Sequence, residues 1–307
     1  MAVDPLPPAL GEPVWFDRLR EPTWLLPPAR DGATRVAFVS EHVAGGPDRD
    51  LLVGLPLYLA EATRFATEAA TAALTEPVPP GIGDRPAREL DASILVTTST
   101  TGAGDLRRLR VRVDRPAGTV LDDELAADDG PVLAEALADL PRRVTDVVRA
   151  TGVPGTWAPV YAPPPAAEAV RYVHAHRACL ELGFDALYPP AGVDPEIVSA
   201  RRTIVRALLG ALADFAQRGS GAFPALLYFG GLAGAHAHGS TLPLEFRLQT
   251  NAICMEATDP RDIPFRLSAL ALRLQGDQQI AERRTRTLAE TGDRTVAEWL
   301  DRVEAVR

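Results

Sequence analysis

The sequence predicts an α+β amino-terminal domain followed by an all-α array of stacked helical hairpins. Three observations carry this reading. Strand-type segments, β-branched or alternating in polarity, are confined to residues 34–126. A Pro-rich stretch at 152–165, within GVPGTWAPVYAPPPA, has the composition of a linker. Beyond residue 166 nearly every segment is helical in character, and the connections are short, often carrying Gly or Asp-Pro.

The elements follow in order. Residues 1–33 are a Pro-rich arm in which proline density forbids a long helix, while Trp15, Phe16 and Trp24 predict packing onto the body. Residues 34–151 form the α+β domain. TRVAFVSEHV (34–43) is a strand and GGPDRD a turn. LLVGLPLYLAEATRFATEAATAAL (51–74) is a helix, and ASILVTTST (92–100) a second strand. TGAGD turns the chain into LRRLRVRVD (106–114), an alternating strand, so the two pair as a hairpin. RPAGT turns again before VLDDEL, and DDGPVLAEALADLPRRVTDVVRAT (128–151) has the acids and Pro of a helix start. After the 152–165 linker, residues 166–307 form the helical domain, with helices expected at 166–183, 195–217, 222–236, 241–257, 262–275, 277–291 and 293–306.

Composition removes several classes of function. All 32 basic residues are Arg, so the phosphate-binding Lys of a P-loop, the Schiff-base Lys of a pyridoxal enzyme and the strand Lys of a protein kinase are missing. A net charge of −9 gives no general attraction to nucleic acid or an anionic membrane. The charge is uneven: residues 1–165 hold 24 acids against 16 Arg, and residues 166–307 hold 17 against 16. Two cysteines, Cys179 and Cys254, are too few for a disulfide framework. Without a secretory pattern at the start or a long apolar run, the expected location is the cytoplasm.

The carboxyl-terminal run FRLSALALRLQGDQQIAERRTRTLAETGD places Ala271 and Leu272 just before Gly276-Asp277, then Ala281 and Leu288 in the next helix. This resembles one tetratricopeptide repeat, in which small residues let paired helices approach and Gly-Asp ends one helix and starts the next. The Gly-x-x-Tyr of the first helix is absent. Residues 34–150 resemble the TolB-like amino-terminal domain of bacterial proteins, through ILVTTST, GAGDL, RLRVRVD and RPAGTV in succession. AFVSEH stands where that family shows VLPF. Such domains precede tetratricopeptide repeats and often sit beside a cyclase, kinase or DNA-binding output domain, which this sequence does not show.

Four of the five histidines form two His-x-His pairs, His174/His176 and His236/His238. On a strand that spacing points both rings to one face, as metallohydrolases require; on a helix the rings diverge by about 200°. YVHAHRACLEL is helical in composition, so His174 and His176 do not share a metal, and any metal would fall to His236 and His238. The expectation is no metal and no cofactor. Arg283, Arg284 and Arg286 form a basic cluster, read as a solvated helix face or a patch for an acidic segment.

The expected function is non-enzymatic: a scaffold that takes a protein or peptide partner in the groove of the array. Arg247, Gln249, Asn251, Arg266 and Arg273 are polar positions on otherwise apolar helices and are the candidate partner-binding residues. The alternative is a small-molecule sensor or small enzyme with its site between the two halves, near Tyr172, His174 and Arg177.

Overall fold

The computed structural model describes residues 5–42, 49–101, 108–126, 131–155, 163–187, 248, 251–252, 254–274 and 276–304. The chain divides into two units. Unit 1 comprises Met1–Pro13 and Ala29–Arg177; unit 2 comprises Val14–Pro28 and Ala178–Arg307.

Unit 1 is built on a six-stranded mixed sheet in the order β1-β3-β2-β4-β5-β6. Its strands are β1 (Ala9–Leu10), β2 (Arg35–Glu41), β3 (Ala70–Leu74), β4 (Ile94–Thr101), β5 (Arg108–Arg115) and β6 (Gly118–Ala126). Strands β3, β2 and β4 run parallel, while β1, β5 and β6 are antiparallel to their neighbours. Helices α1 (Arg49–Ala66) and α2 (Arg85–Glu89) interleave with them, and α3 (Pro131–Arg149) and α4 (Ala166–Leu187) follow β6, α4 belonging to unit 1 as far as Arg177.

The period-2 alternation of a strand sorts side chains to opposite faces. The register puts Phe38, Val96, Val111 and Leu121 on one face. Helix α3 lies over β6 on that face, where Arg143 pairs with Asp123, and buries Leu133, Leu137, Leu140, Val144 and Val148. The opposite face is split. Under α2 and its flanking loops, Ala37, Val39, Leu74, Val78 and Leu95 form a core lined by Ile82, Ala87, Leu90 and Ala92. Farther along β5 and β6 the same face becomes a charged ladder: Arg110 grips Asp122 with two bonds of 2.7 and 2.6 Å, and Arg108 pairs with Glu124 at 3.5 Å.

The predicted helix over 51–74 is two elements. Helix α1 ends at Ala66, because the Thr67 hydroxyl donates to the Thr63 carbonyl at 2.8 Å and accepts from the Ala69 N–H at 3.2 Å. This turns Ala70–Leu74 into β3 beside β2. Alanine favours helix intrinsically, but small side chains also suit a strand covered on both faces, and tertiary context decides.

In unit 2, helices α5 (Ile263–Leu274), α6 (Gln278–Glu290) and α7 (Arg294–Glu304) pack with the arm segment 14–28. Gly276, at φ 87°, closes α5: its N–H donates to the Arg273 carbonyl, and the Asp277 N–H donates to that of Leu272. This is a Schellman turn, which needs a residue in the left-handed region. The buried stripe of α6 is Ala281, Arg284 and Leu288.

The expected fold class, and with it the TolB-like and tetratricopeptide-like reading, is corrected. The chain is a mixed α/β protein with helices between the strands, not an α+β domain followed by an all-α array. Two features explain the difference. The segment 14–28 from the amino end supplies Trp15, Phe16, Leu19, Leu25 and Leu26 to the buried interior of unit 2, so its core is not made by successive hairpins alone. The Gly-Asp turn between α5 and α6 serves any antiparallel helix pair and carries no information about a repeat. The helices expected at 195–217 and 222–236 lie outside the described residues. Among the described residues no helix is long and apolar enough to cross a membrane.

Candidate ligand site

Where the cover of the sheet ends and the charged ladder begins, unit 1 has a cavity of about 540 Å³. Its walls are α2 with the following turn, the start of β4, and the end of β5 with its turn into β6. Leu95, Ala87, Ala92 and Pro116 supply apolar surface. Three arginines (Arg88, Arg112, Arg115) and three aspartates (Asp84, Asp91, Asp114) supply balanced charge.

Four of those charges are already paired. Arg88 meets Asp84 at 3.0 Å, and Arg112 meets Asp114 at 2.6 Å. The second Asp114 oxygen accepts the Thr119 hydroxyl at 2.6 Å. Arg115 differs: its Nε is buried and has no hydrogen-bond partner. That nitrogen is sealed within the wall and is not reached from the cavity.

Asp91 is the second unusual group. It closes α2 at φ 50°, its own N–H donating to the Arg88 carbonyl and the next N–H, of Ala92, donating to that of Ala87. This Schellman position ordinarily belongs to Gly or Asn, because a side chain in the left-handed region is strained. An exposed carboxylate is kept there on the cavity wall.

A separate polar cluster is sealed inside unit 1. Tyr58 and Glu61 of α1 meet Tyr172 and His176 of α4, and all four side chains have 0% exposure. The Tyr172 hydroxyl donates to Glu61 Oε1 at 2.8 Å. His176 Nδ1 donates to the Tyr172 carbonyl at 3.0 Å, and Nε2 lies 3.1 Å from Glu61 Oε2. Both ring nitrogens therefore lie within hydrogen-bond distance of oxygens, Nδ1 at the Tyr172 carbonyl and Nε2 at the Glu61 carboxyl. Burial first, and Glu61 second, push the Tyr58 phenol well above its ordinary range. Complete burial gives this cluster the role of joining α1 to α4 rather than receiving a substrate.

A third location is set by topology. The strand order reverses at β2, and in parallel sheets ligands favour the carboxyl ends of strands at such a reversal. There Ser40 and Thr98 hydroxyls bond at 2.5 Å, Glu41 accepts the Gly81 N–H, and His42 Nε2 is buried without a partner. The segments that follow β2 and β4 lie outside the described residues.

The residues singled out from sequence fall elsewhere. Arg247, Gln249, His236 and His238 lie outside the described residues. Asn251 donates to Asp277 at 3.1 Å. Arg266 donates to the Pro260 carbonyl, pairs with Asp293 at 3.2 Å and stacks on Trp24. Arg273 donates to the Thr285 hydroxyl at 2.8 Å. These contacts belong to the packing of unit 2. Tyr172 is buried in the cluster with Glu61, whereas His174 is exposed. Arg284 is no part of a solvated basic face: it is 9% exposed, donates to the carbonyls of Cys254 and Ala257, and lies over the Phe265 ring. Among the described residues no group of His, Cys, Asp and Glu is arranged to hold a metal ion. Sequence reasoning missed Arg115 and Asp91, since a turn arginine and a loop aspartate carry no local signal.

Fold and site together define a mixed α/β protein with a charge-balanced cavity at the border of a half-covered sheet. No family model, curated protein or solved structure matches the chain, so the TolB-like and tetratricopeptide resemblances have no support there either.

Proposed function

We propose that this protein is a small-molecule sensor whose ligand occupies the cavity between α2 and the β5–β6 turn. The observation that carries the reading is a cavity of about 540 Å³ whose wall mixes apolar side chains with three arginines and three aspartates. That volume suits a small ligand, and the mixture of apolar surface with a few convergent charges is the usual make-up of such sites. A cytoplasmic location is part of the proposal, in keeping with Cys179 and Cys254 as thiols rather than a disulfide. The test is a screen of small polar fragments by protein-observed NMR. Hits should shift resonances of residues 83–93 and 112–116; hits confined to other parts of the chain would count against it.

A second reading, a module for a protein partner, is favoured by one observation. Leu248 and Met255 are 61% and 54% exposed, and helical Ala252 between them is exposed as well. Exposed apolar side chains of this kind are what an apolar peptide or partner helix docks on. Leu248→Glu with Met255→Glu should abolish capture of such a partner and leave fragment binding at the cavity unchanged.

A further inference from the structure

We infer that the outer edge of β6 docks an extended peptide in which basic and apolar residues alternate, added to the sheet as a seventh strand. β6 is the last strand of the sheet, and among the described residues no strand pairs with its outer side. Such an edge presents backbone N–H and C=O groups in a row, a template on which another chain can pair. Proteins blunt these edges with Pro, Lys, bulges or short length. β6 is nine residues long, GTVLDDELA, and holds neither Pro nor a basic residue. Its one irregularity falls near the start, opposite Val113 and Asp114, so residues 121–126 pair regularly. Along that stretch Asp122 and Glu124 are exposed, and Leu121, Asp123 and Leu125 are half-buried. None of these residues lines the cavity beside α2.

The neighbour on the inner side shows what fits. β5 sets Leu109, Arg110, Val111, Arg112 and Val113 opposite Leu125, Glu124, Asp123, Asp122 and Leu121. Its arginines share the charged face with Asp122 and Glu124, and its buried Leu109, Val111 and Val113 share the face under α3. A strand added on the outer side extends the same two faces. It therefore meets the same requirement: basic residues opposite Asp122 and Glu124, apolar residues opposite Leu121 and Leu125. The two carboxylates have room for it, since each offers about four lone-pair sites. Arg110 takes one site on each oxygen of Asp122, and Arg108 reaches Glu124 only at 3.5 Å. Opposite charges across neighbouring strands stabilise a pair, and like charges destabilise it. A second copy pairing β6 antiparallel about Asp123 would set Asp122 against Glu124 and Asp123 against itself. A basic, alternating segment puts opposite charges there instead.

The experiment titrates the full chain with short acetylated and amidated peptides and follows backbone NMR. The peptide GLRVRVG, which carries the alternation of β5, should bind and shift resonances of residues 118–126. GLEVEVG, with acids in place of the arginines, should not. GLRVRVG methylated at every backbone nitrogen keeps both charges but cannot donate to a strand, and should bind far more weakly. Asp122→Asn with Glu124→Gln should weaken GLRVRVG by roughly 2–30-fold, the range for two cross-strand charge pairs. The three peptides are compared on the parent protein, so their ranking does not depend on how well the double variant folds. Equal binding of the methylated peptide would show attraction by charge without strand pairing, and equal binding of GLEVEVG would show that charge does not select; either overturns the assignment. If resonances of residues 118–126 shift with protein concentration in the absence of peptide, the occupant is a second copy and the assignment falls. It falls equally if GLRVRVG leaves residues 118–126 unmoved. Fragment binding at residues 83–93 is independent of every one of these results.

Discussion

The indole rings of Trp24 and Trp299 meet edge to face with centroids 5.5 Å apart, although they come from opposite ends of the chain. The Trp299 N–H donates to the Leu19 carbonyl at 2.6 Å, and Arg302 donates to that of Glu21. Segment 14–28 of the Pro-rich arm is thus an integral layer of unit 2. Trp299 has 0% exposure, so Trp299→Ala should cost about 3–5 kcal/mol, and Trp299→Phe about 1–3 kcal/mol through the orphaned carbonyl. Chemical denaturation measures both. Deleting residues 14–28 should lower hydrogen-exchange protection across 263–304; unchanged protection there would show that the arm is dispensable.

Gly54 lies where α1 crosses α4. A Cβ at this position would overlap the carbonyl oxygen of Val173, which is backbone and has no freedom to retreat. Alanine in a helix ordinarily gains about 1 kcal/mol over glycine. Gly54→Ala should reverse that sign and destabilise unit 1 by about 1–3 kcal/mol through forced separation of the helices. A thermal melt at or above that of the parent would mean that α1 and α4 do not touch here.

The Glu61–His176 pair predicts a non-additive result. Glu61→Leu or His176→Leu alone leaves a buried polar partner unmatched and should cost about 3–5 kcal/mol. The double variant removes both polar partners together and should recover part of that loss, the buried Tyr172 hydroxyl still being left without its Glu61 acceptor. A double-mutant cycle by urea denaturation gives the coupling directly. Simple additivity would show that the two side chains do not depend on one another.

Unit 2 carries an acid-sensitive cap. Asp293 Oδ1 accepts from the Thr295 hydroxyl and N–H and from the Val296 N–H, and Oδ2 pairs with Arg266. The Thr295 hydroxyl above all, then the Val296 N–H, Arg266 and the Thr295 N–H, hold this carboxyl below its ordinary value against the opposing effect of burial. A carboxyl lowered in the folded state contributes stability above the unfolded value, about 3.9, and loses it as pH falls through the folded one. Asp293→Asn keeps a capping oxygen but cannot titrate. The stability difference between parent and Asp293→Asn should be constant above about pH 5 and shrink below about pH 4. A difference independent of pH from 2 to 7 would remove Asp293 from the acid response.

Local pattern was enough for some of this structure. The alternation in RLRVRVD places Leu109, Val111 and Val113 inside and Arg108, Arg110 and Arg112 outside, and the antiparallel β4–β5 pair is where that alternation puts it. Gly276-Asp277 marks the turn between α5 and α6 because the left-handed Schellman position selects glycine. The absence of Lys removes several enzyme classes before any fold is known.

What tertiary structure alone decided involves partners far apart in the chain. Nothing local distinguishes ATAAL from the helix before it; it becomes β3 only because β2 offers an edge beside it. His176 reads as one member of a His-x-His pair, yet its meaning comes from Glu61, 115 positions away. Trp299 answers to Leu19 across 280 positions. Arg115 and Asp91 look like ordinary turn residues, and only the meeting of α2 with the end of β5 brings them to one cavity. Periodicity reports which face of an element is apolar; it carries no record of which distant element will cover that face, and the unpaired charges of a site exist only once every other charge has found its neighbour.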